Sequence, residues 1–257
     1  MSKTKGYVNH GIYARLIHQY ADYKRSLGFK MEDVEERLQR FDRLTVERDE
    51  TSTGITKNLF DAWNRIAPLE SASNNYSRIC ILRNFSSYLQ LLGYESYVPG
   101  MPLYKSTFTP HIYTQQEITS IFRECDKLYC CRKTLYSVKC VMPGLVRLLY
   151  STGIRIGEAV RLTHSDVNFE DGTLLLRECK NGQERLIPLS QSMREVLRDY
   201  LSYKYLTGLQ CLPNDIFFTA TDGRPCLSAS IYEIFRTIVY RAGLPHGGRS
   251  KGPRLHD

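Results

Sequence analysis

The sequence predicts a mainly α-helical chain with one small β-sheet, an α+β architecture made of a helical N-terminal domain and a larger mixed domain. Three observations predict it. Apolar residues recur at helical spacing through residues 12–89. Pro99, Gly100, Pro102 and Pro110 then interrupt the periodicity. Beyond them, helical segments flank a short β-prone pair around Asn181-Gly182.

Each element has its own signal. Ile12, Leu16, Ile17, Tyr20 and Tyr23 form a first apolar stripe, closed by Leu27-Gly28. Val34, Leu38, Phe41 and Leu44 form a second. Ile55, Leu59, Phe60, Trp63 and Ile66 form a third, stopped before Pro68. Ile79, Leu82, Phe85, Tyr88 and Leu89 form a fourth, ended at Gly93. Four short amphipathic helices make a small bundle over residues 1–93. Residues 94–111 read as an extended interdomain linker. Thr114 followed by Glu117 has the capping-box form that opens a helix. Within the second domain, 112–257, residues 141–151, 154–163, 190–206 and 228–242 carry helical patterns. Thr173–Arg177 and Arg185–Ile187 are β-prone, and Asn181-Gly182 is a strong hairpin-turn signal between them.

Of the 257 residues, 42% are hydrophobic and 24% charged, enough apolar material for sizeable cores. The net charge of +8 divides into +2 over residues 1–100 and +6 over 101–257. An excess of that kind favours a polyanionic partner, nucleic acid being the common one, although a basic enzyme of another sort carries similar charge. The N-terminal ten residues lack the apolar core of a secretory signal, and no stretch approaches a membrane span. The eight cysteines are scattered without a C-x-x-C pair and read as reduced thiols. Neither a metal nor a cofactor is expected.

The informative run is Thr152-Gly153-Ile154-Arg155-Ile156-Gly157-Glu158, with Leu162 and Asp166 following. Gly153 ends one helix and lets the chain turn into the next. Arg155 then sits in the first turn, and Glu158, three residues on, shares its face and orients its guanidinium. An oriented guanidinium presents a planar fork to phosphate oxygens. Such a pair on its own is commonly a surface ion pair. Here it is followed by Lys180 beside the hairpin turn, by Ile187-Pro188-Leu189, and by Gly252-Pro253-Arg254-Leu255-His256-Asp257. A lysine at such a turn can deliver a proton into a groove.

In that order and spacing the motifs resemble the tyrosine recombinase (phage integrase) family. Thr152, Gly153, Arg155, Glu158 and Leu162 match its T-G-x-R-x-x-E-x-x-x-L box. Lys180 stands in the form C-K-N-G-Q-x-R-x-I-P-L, and His256-Asp257 match the first two letters of H-D-L-R-H. The resemblance implies a four-helix core-binding domain ahead of a catalytic domain, clamped on double-stranded DNA, with self-association on the DNA. A tyrosine hydroxyl would attack the scissile phosphate, form a 3′-phosphotyrosyl link and release a 5′-hydroxyl. Arg155 would stabilise phosphoryl charge, Lys180 would protonate the leaving oxygen, His256 would assist proton transfer or hold a phosphate oxygen, and Glu158 would orient Arg155. Arg78 and Arg83 on the polar side of the fourth helix, with Arg236, Arg241, Arg249 and Lys251, are the DNA-binding candidates. The second arginine and the nucleophilic tyrosine of the family pattern fall after Asp257, so the catalytic domain is expected to be truncated at the H-D-L-R-H box and inactive alone. A binding-only protein that occupies recombination sites is the alternative reading, and an unrelated basic α+β protein a third. A cytoplasmic, nucleoid-associated location follows from the resemblance.

Overall fold

In a computed structural model, residues 11–65, 70–103, 109–128, 138–177, 183–245 and 252–255 are described. The chain divides into two compact units, Met1–Thr107 and Phe108–Asp257.

The first unit holds α1 (Ala14–Ser26), α2 (Glu32–Glu47), α3 (Lys57–Trp63) and α4 (Ala72–Leu91). Their apolar stripes meet in one core that includes Ile17, Tyr20, Leu38, Phe41, Leu59, Leu82 and Phe85. No side chain of its own caps α1. The buried Asp42 does so from α2, accepting the backbone N–H groups of Gly11 at 3.0 Å and Tyr13 at 2.9 Å. α3 is shorter than its apolar spacing predicts. The Thr56 hydroxyl accepts the Leu59 N–H and fixes its start. Ile55 is buried just before that cap, on extended chain. Its N–H donates to Ser96 Oγ and its carbonyl accepts from the Tyr97 N–H. Residues 94–103 form no helix or strand, and Ser96, Tyr97 and Pro99 hydrogen-bond within the first unit.

In the second unit, α5 (Gln115–Asp126) opens with the predicted capping box: Thr114 Oγ1 accepts the Glu117 N–H, and the Glu117 carboxylate accepts the Thr114 N–H. A 3-10 turn over Val138–Val141 leads into α6 (Met142–Thr152), whose Met142, Leu145 and Leu148 are fully buried. α5 and α8 (Gln191–Leu206) pack on α6, and α9 (Ser228–Arg241) packs on α5. A three-stranded antiparallel sheet, β1 (Val167–Asn168), β2 (Thr173–Leu176) and β3 (Arg185–Pro188), has the order β1-β2-β3. Its register pairs Leu174 with Ile187 and Leu176 with Arg185. β1 is two residues long, too short to carry a readable alternation. The helix expected over 154–163 is a single turn, α7 (Ile156–Ala159), because the chain bends through Thr163 into a second 3-10 turn over His164–Asp166. The Asn181-Gly182 turn lies outside the described residues. No helix among those described is long and apolar enough to cross a membrane.

Candidate active site

The site starts with the break between α6 and α7. α6 ends at Gly153, which adopts φ +66°, a left-handed conformation that costs a glycine nothing. Ile154 is buried beyond it and pins the turn. Arg155 follows in extended conformation as the N-cap residue of α7. Its carbonyl accepts the first helical N–H groups, from Glu158 and Ala159.

Glu158 reaches back over the same turn. Its Oε2 accepts the Arg155 backbone N–H at 2.8 Å, and its Oε1 accepts from Arg155 Nη1 at 3.1 Å. A second guanidinium joins: Arg185 Nη2 donates to Oε2 at 3.2 Å. The carboxylate side chain is 5% exposed, whereas Arg155 is 60% and Arg185 48% exposed. Burial alone would raise the Glu158 carboxyl pKa. The Arg155 N–H and guanidinium, together with the Arg185 charge, outweigh burial and hold it below the usual carboxylate range. The buried anion therefore stays ionised and aims two cations outward.

The arm of the sheet beside this turn is tied down in a similar way. Arg177, just past β2, donates through Nε to Oδ1 of the buried Asp166 at 2.6 Å. Asp166 Oδ2 also accepts the N–H and hydroxyl of Thr163. Arg177 and Arg185 flank the segment that carries Lys180, one on each side. Lys180 itself lies outside the described residues, so its reach toward Arg155 is not part of this geometry.

Behind the Thr163–Asp166 turn is a buried cation. Lys204, 4% exposed, donates to the carbonyls of Ile216 at 2.9 Å and Phe217 at 3.1 Å. Its Nζ lies 3.0 Å from His164 Nε2. Burial, with the Lys204 charge beside it, pushes the His164 pKa down to about 4, so the imidazole is neutral and accepts from the ammonium. Burial also lowers the Lys204 pKa.

Arg155 opens onto a cleft of about 670 Å³, lined among others by Tyr113, Phe122, Tyr150, Gly153, Arg254 and Leu255. The Tyr113 hydroxyl donates to the Arg254 carbonyl at 2.9 Å. That bond holds residues 254–255 against the segment before α5. Leu255 immediately precedes His256, which lies outside the described residues, as do Arg249 and Lys251. The structure thus brings together Arg155 and Glu158, and places at the same cleft the residues that lead into His256.

The remaining candidates are dispersed. Arg236 and Arg241 are exposed on α9. Arg78 does not project from the polar side of α4 as predicted. Its side chain is 14% exposed, pairs with Glu70 at 2.8 Å, donates to the Trp63 and Arg65 carbonyls, and lies over the Trp63 ring. An aromatic face, a carboxylate and two carbonyls within the same unit draw it inward. Arg83 donates to the Pro99 carbonyl at 2.5 Å. Sequence reading gave no role to Arg185 and Arg177. Arg185 was in view within Q-x-R-x-I-P-L, but nothing in that run says that it reaches a carboxylate 27 residues earlier.

The chain is similar to known proteins. A family model described as the phage integrase family matches residues 112–256. A candidate integrase/recombinase of Sinorhizobium fredii, y4rB, is 27% identical over 252 residues, covering 95% of this chain and 78% of that protein. The tyrosine recombinase XerC of Bacillus subtilis is 33% identical over 105 residues, 38% of this chain and 33% of its own. Among solved structures, a lambda integrase tetramer bound to a Holliday junction matches with a TM-score of 0.65 at 18% identity, covering 97% of this chain and 68% of that one.

Proposed function

The chain belongs to the phage integrase family, the tyrosine recombinases, and on that premise we propose that it binds double-stranded DNA and holds a backbone phosphate on Arg155. The observation that carries this reading is the Arg155–Glu158 unit: an exposed guanidinium, fixed at a helix break by a buried, ionised carboxylate, at the mouth of a cleft. A fork held in this way meets phosphate oxygens without losing freedom on binding, and fixed donors of that kind stabilise charge that develops on a phosphoryl group.

The roles of the other groups follow the family reaction. A tyrosine hydroxyl attacks phosphorus, a 3′-phosphotyrosyl bond forms, and the 5′-oxygen leaves with a proton. Reversal on another strand rejoins the DNA, so no external energy source is consumed. Lys180 supplies the proton to the leaving oxygen. His256 assists proton transfer or binds a phosphate oxygen. No cofactor or metal enters these steps. Arg236 and Arg241, exposed on α9, are further DNA-binding candidates together with Arg249 and Lys251 by their place in the sequence, and Arg83 is a further candidate in the first unit. Copies of the chain associate on DNA, in keeping with the lambda integrase tetramer bound to a Holliday junction. The protein acts in the cytoplasm, at the nucleoid.

Gel-shift titration of duplex DNA across salt concentrations tests this reading. Binding is expected to weaken steeply as salt rises, by roughly 0.9 in the log–log slope per phosphate contact. Folded protein that leaves duplex unshifted at low salt overturns it.

A further inference from the structure

We infer that Asp166 and Arg177 are positioning residues for Lys180: their ion pair fixes the root of the sheet arm on which the sequence carries that lysine, and so holds its ammonium at a DNA phosphate. The inference deepens the reading given above and rests on it.

The first argument is mechanical. The last described pair of the β2–β3 ladder is Leu176 with Arg185, so residues 177–184 lie beyond it. Lys180 stands three residues past Arg177 in the chain. A lysine ammonium rides on a long, flexible stem. It serves as a proton donor only where its backbone is held, because a misplacement of about 1 Å can cost about 10²-fold in rate.

The second argument is how the root is held. Arg177 Nε donates to Asp166 Oδ1 at 2.6 Å, and the Asp166 side chain is 4% exposed. Burial by itself would raise the Asp166 carboxyl pKa. The Arg177 guanidinium, with the Thr163 N–H and hydroxyl, outweighs burial and keeps the group ionised below its ordinary range. The turn that carries Asp166 is itself braced. The His164 N–H donates to the Asp215 carbonyl at 3.0 Å, the Ser165 N–H to the Pro213 carbonyl at 2.8 Å, and the Phe217 N–H to the Leu162 carbonyl at 2.7 Å. A buried anion on a braced turn is a firm post, whereas a fully exposed ion pair would be worth too little to hold an arm. At the other root, Arg185 makes the matching contact with the buried Glu158. In both cases the receiving carboxylate also accepts a backbone N–H of its own turn, from Thr163 at 2.8 Å and from Arg155 at 2.8 Å. The arm is thus tied at both roots, and one tie is shared with the turn that presents Arg155.

Asp166→Asn is the discriminating variant. It removes a negative charge from a basic protein, and the side-chain oxygen that remains can still accept the Thr163 N–H. Charge alone would leave the salt dependence of duplex binding equal or steeper. If the pair positions Lys180, a phosphate contact is lost instead, and the log–log slope falls by about 0.9. Lys180→Ala is expected to lower the slope by about 0.9 in the unaltered chain and to change it little in the Asp166→Asn background, because residues that act through one another are not additive. If Asp166→Asn does not fold, Arg177→Gln takes its place, and Lys180→Ala is again expected to add little in that background. An Asp166→Asn slope equal to or steeper than that of the unaltered chain overturns the inference. So does a full decrement from Lys180→Ala in either variant background, or no decrement from it in the unaltered chain. Failure of the unaltered chain to bind duplex at low salt is a different result: it overturns the DNA-binding reading itself, and this inference falls with it.

Discussion

The backbone N–H of Arg155 and the guanidinium of Arg185 meet on a single oxygen, Glu158 Oε2, at 2.8 Å and 3.2 Å. The first turn of α7 and the first residue of β3 are thereby tied through one buried carboxylate. Replacing Glu158 with alanine leaves the Arg155 N–H without that acceptor and two guanidiniums without their shared anion. The expected cost is about 2 kcal/mol of stability, in the range for charge-assisted hydrogen bonds. The pH dependence has a definite sign. The folded carboxyl titrates below its ordinary value of 4.5. Its contribution is therefore complete above that value and is lost as pH falls through the folded one. Denaturant titrations of both proteins at neutral and acid pH check this: the stability gap between them is expected to shrink in acid.

Gly153 makes a separable prediction. A Cβ there meets nothing within 4 Å, so the penalty for Gly153→Ala is conformational alone, from the φ of +66°. A loss of about 1 kcal/mol is expected, with Gly153→Asn milder, since asparagine tolerates the left-handed region better. Equilibrium unfolding with an unchanged denaturant slope is the check. No loss on Gly153→Ala would mean that the turn is not held in this conformation.

The His164–Lys204 pair predicts acid sensitivity in another window. His164 is held neutral, with its pKa lowered from 6.5 to about 4. Between those values the unfolded chain takes up a proton that the folded chain refuses, so stability falls as pH drops from about 6.5 toward about 4. Below about 4 this group contributes no further slope. His164→Gln keeps an acceptor for the Lys204 ammonium and does not titrate, so its stability curve is expected to be flatter across that window. Parallel curves for the two proteins would refute a neutral, buried His164.

Much of this architecture was legible because local chemistry and fold agree. The apolar stripes containing Leu38 and Phe41, or Leu82 and Phe85, bury where helical periodicity puts them. The Thr114–Glu117 capping box and the Gly153 turn carry their geometry within a few neighbouring residues. Ile55 misled because an apolar residue one step before a cap keeps helical spacing while sitting on extended chain. Arg78 read as a solvent-facing cation because its partners, Trp63, Arg65 and Glu70, belong to the end of α3 and the loop after it, which periodicity does not place. Of the site, the Arg155–Glu158 contact was readable from its spacing of three. The Arg185–Glu158 and Arg177–Asp166 contacts, 27 and 11 residues apart, depend on the sheet register and could not be read from spacing.

Among the described residues, Tyr113 and Tyr150 line the cleft with Arg155. The Tyr113 hydroxyl is already donated to the Arg254 carbonyl, and neither residue matches the position of the family nucleophile. Neither is therefore expected to form a covalent adduct with a nicked suicide duplex. Peptide mapping of a protease-sensitive, detergent-stable DNA–protein band to Tyr113 or Tyr150 would contradict this expectation and assign a nucleophile outside the family pattern.

Duplex binding by the Arg155→Ala variant, measured across salt concentrations beside its melting temperature, tests the central claim most directly. If Arg155 holds a backbone phosphate, the log–log salt slope falls by about 0.9 and affinity drops, while the melting temperature changes little because the buried Glu158 carboxylate keeps the residue-155 backbone N–H and Arg185 as donors. An unchanged slope together with a clear drop in melting temperature would show that Arg155 serves the fold through Glu158 and does not touch DNA.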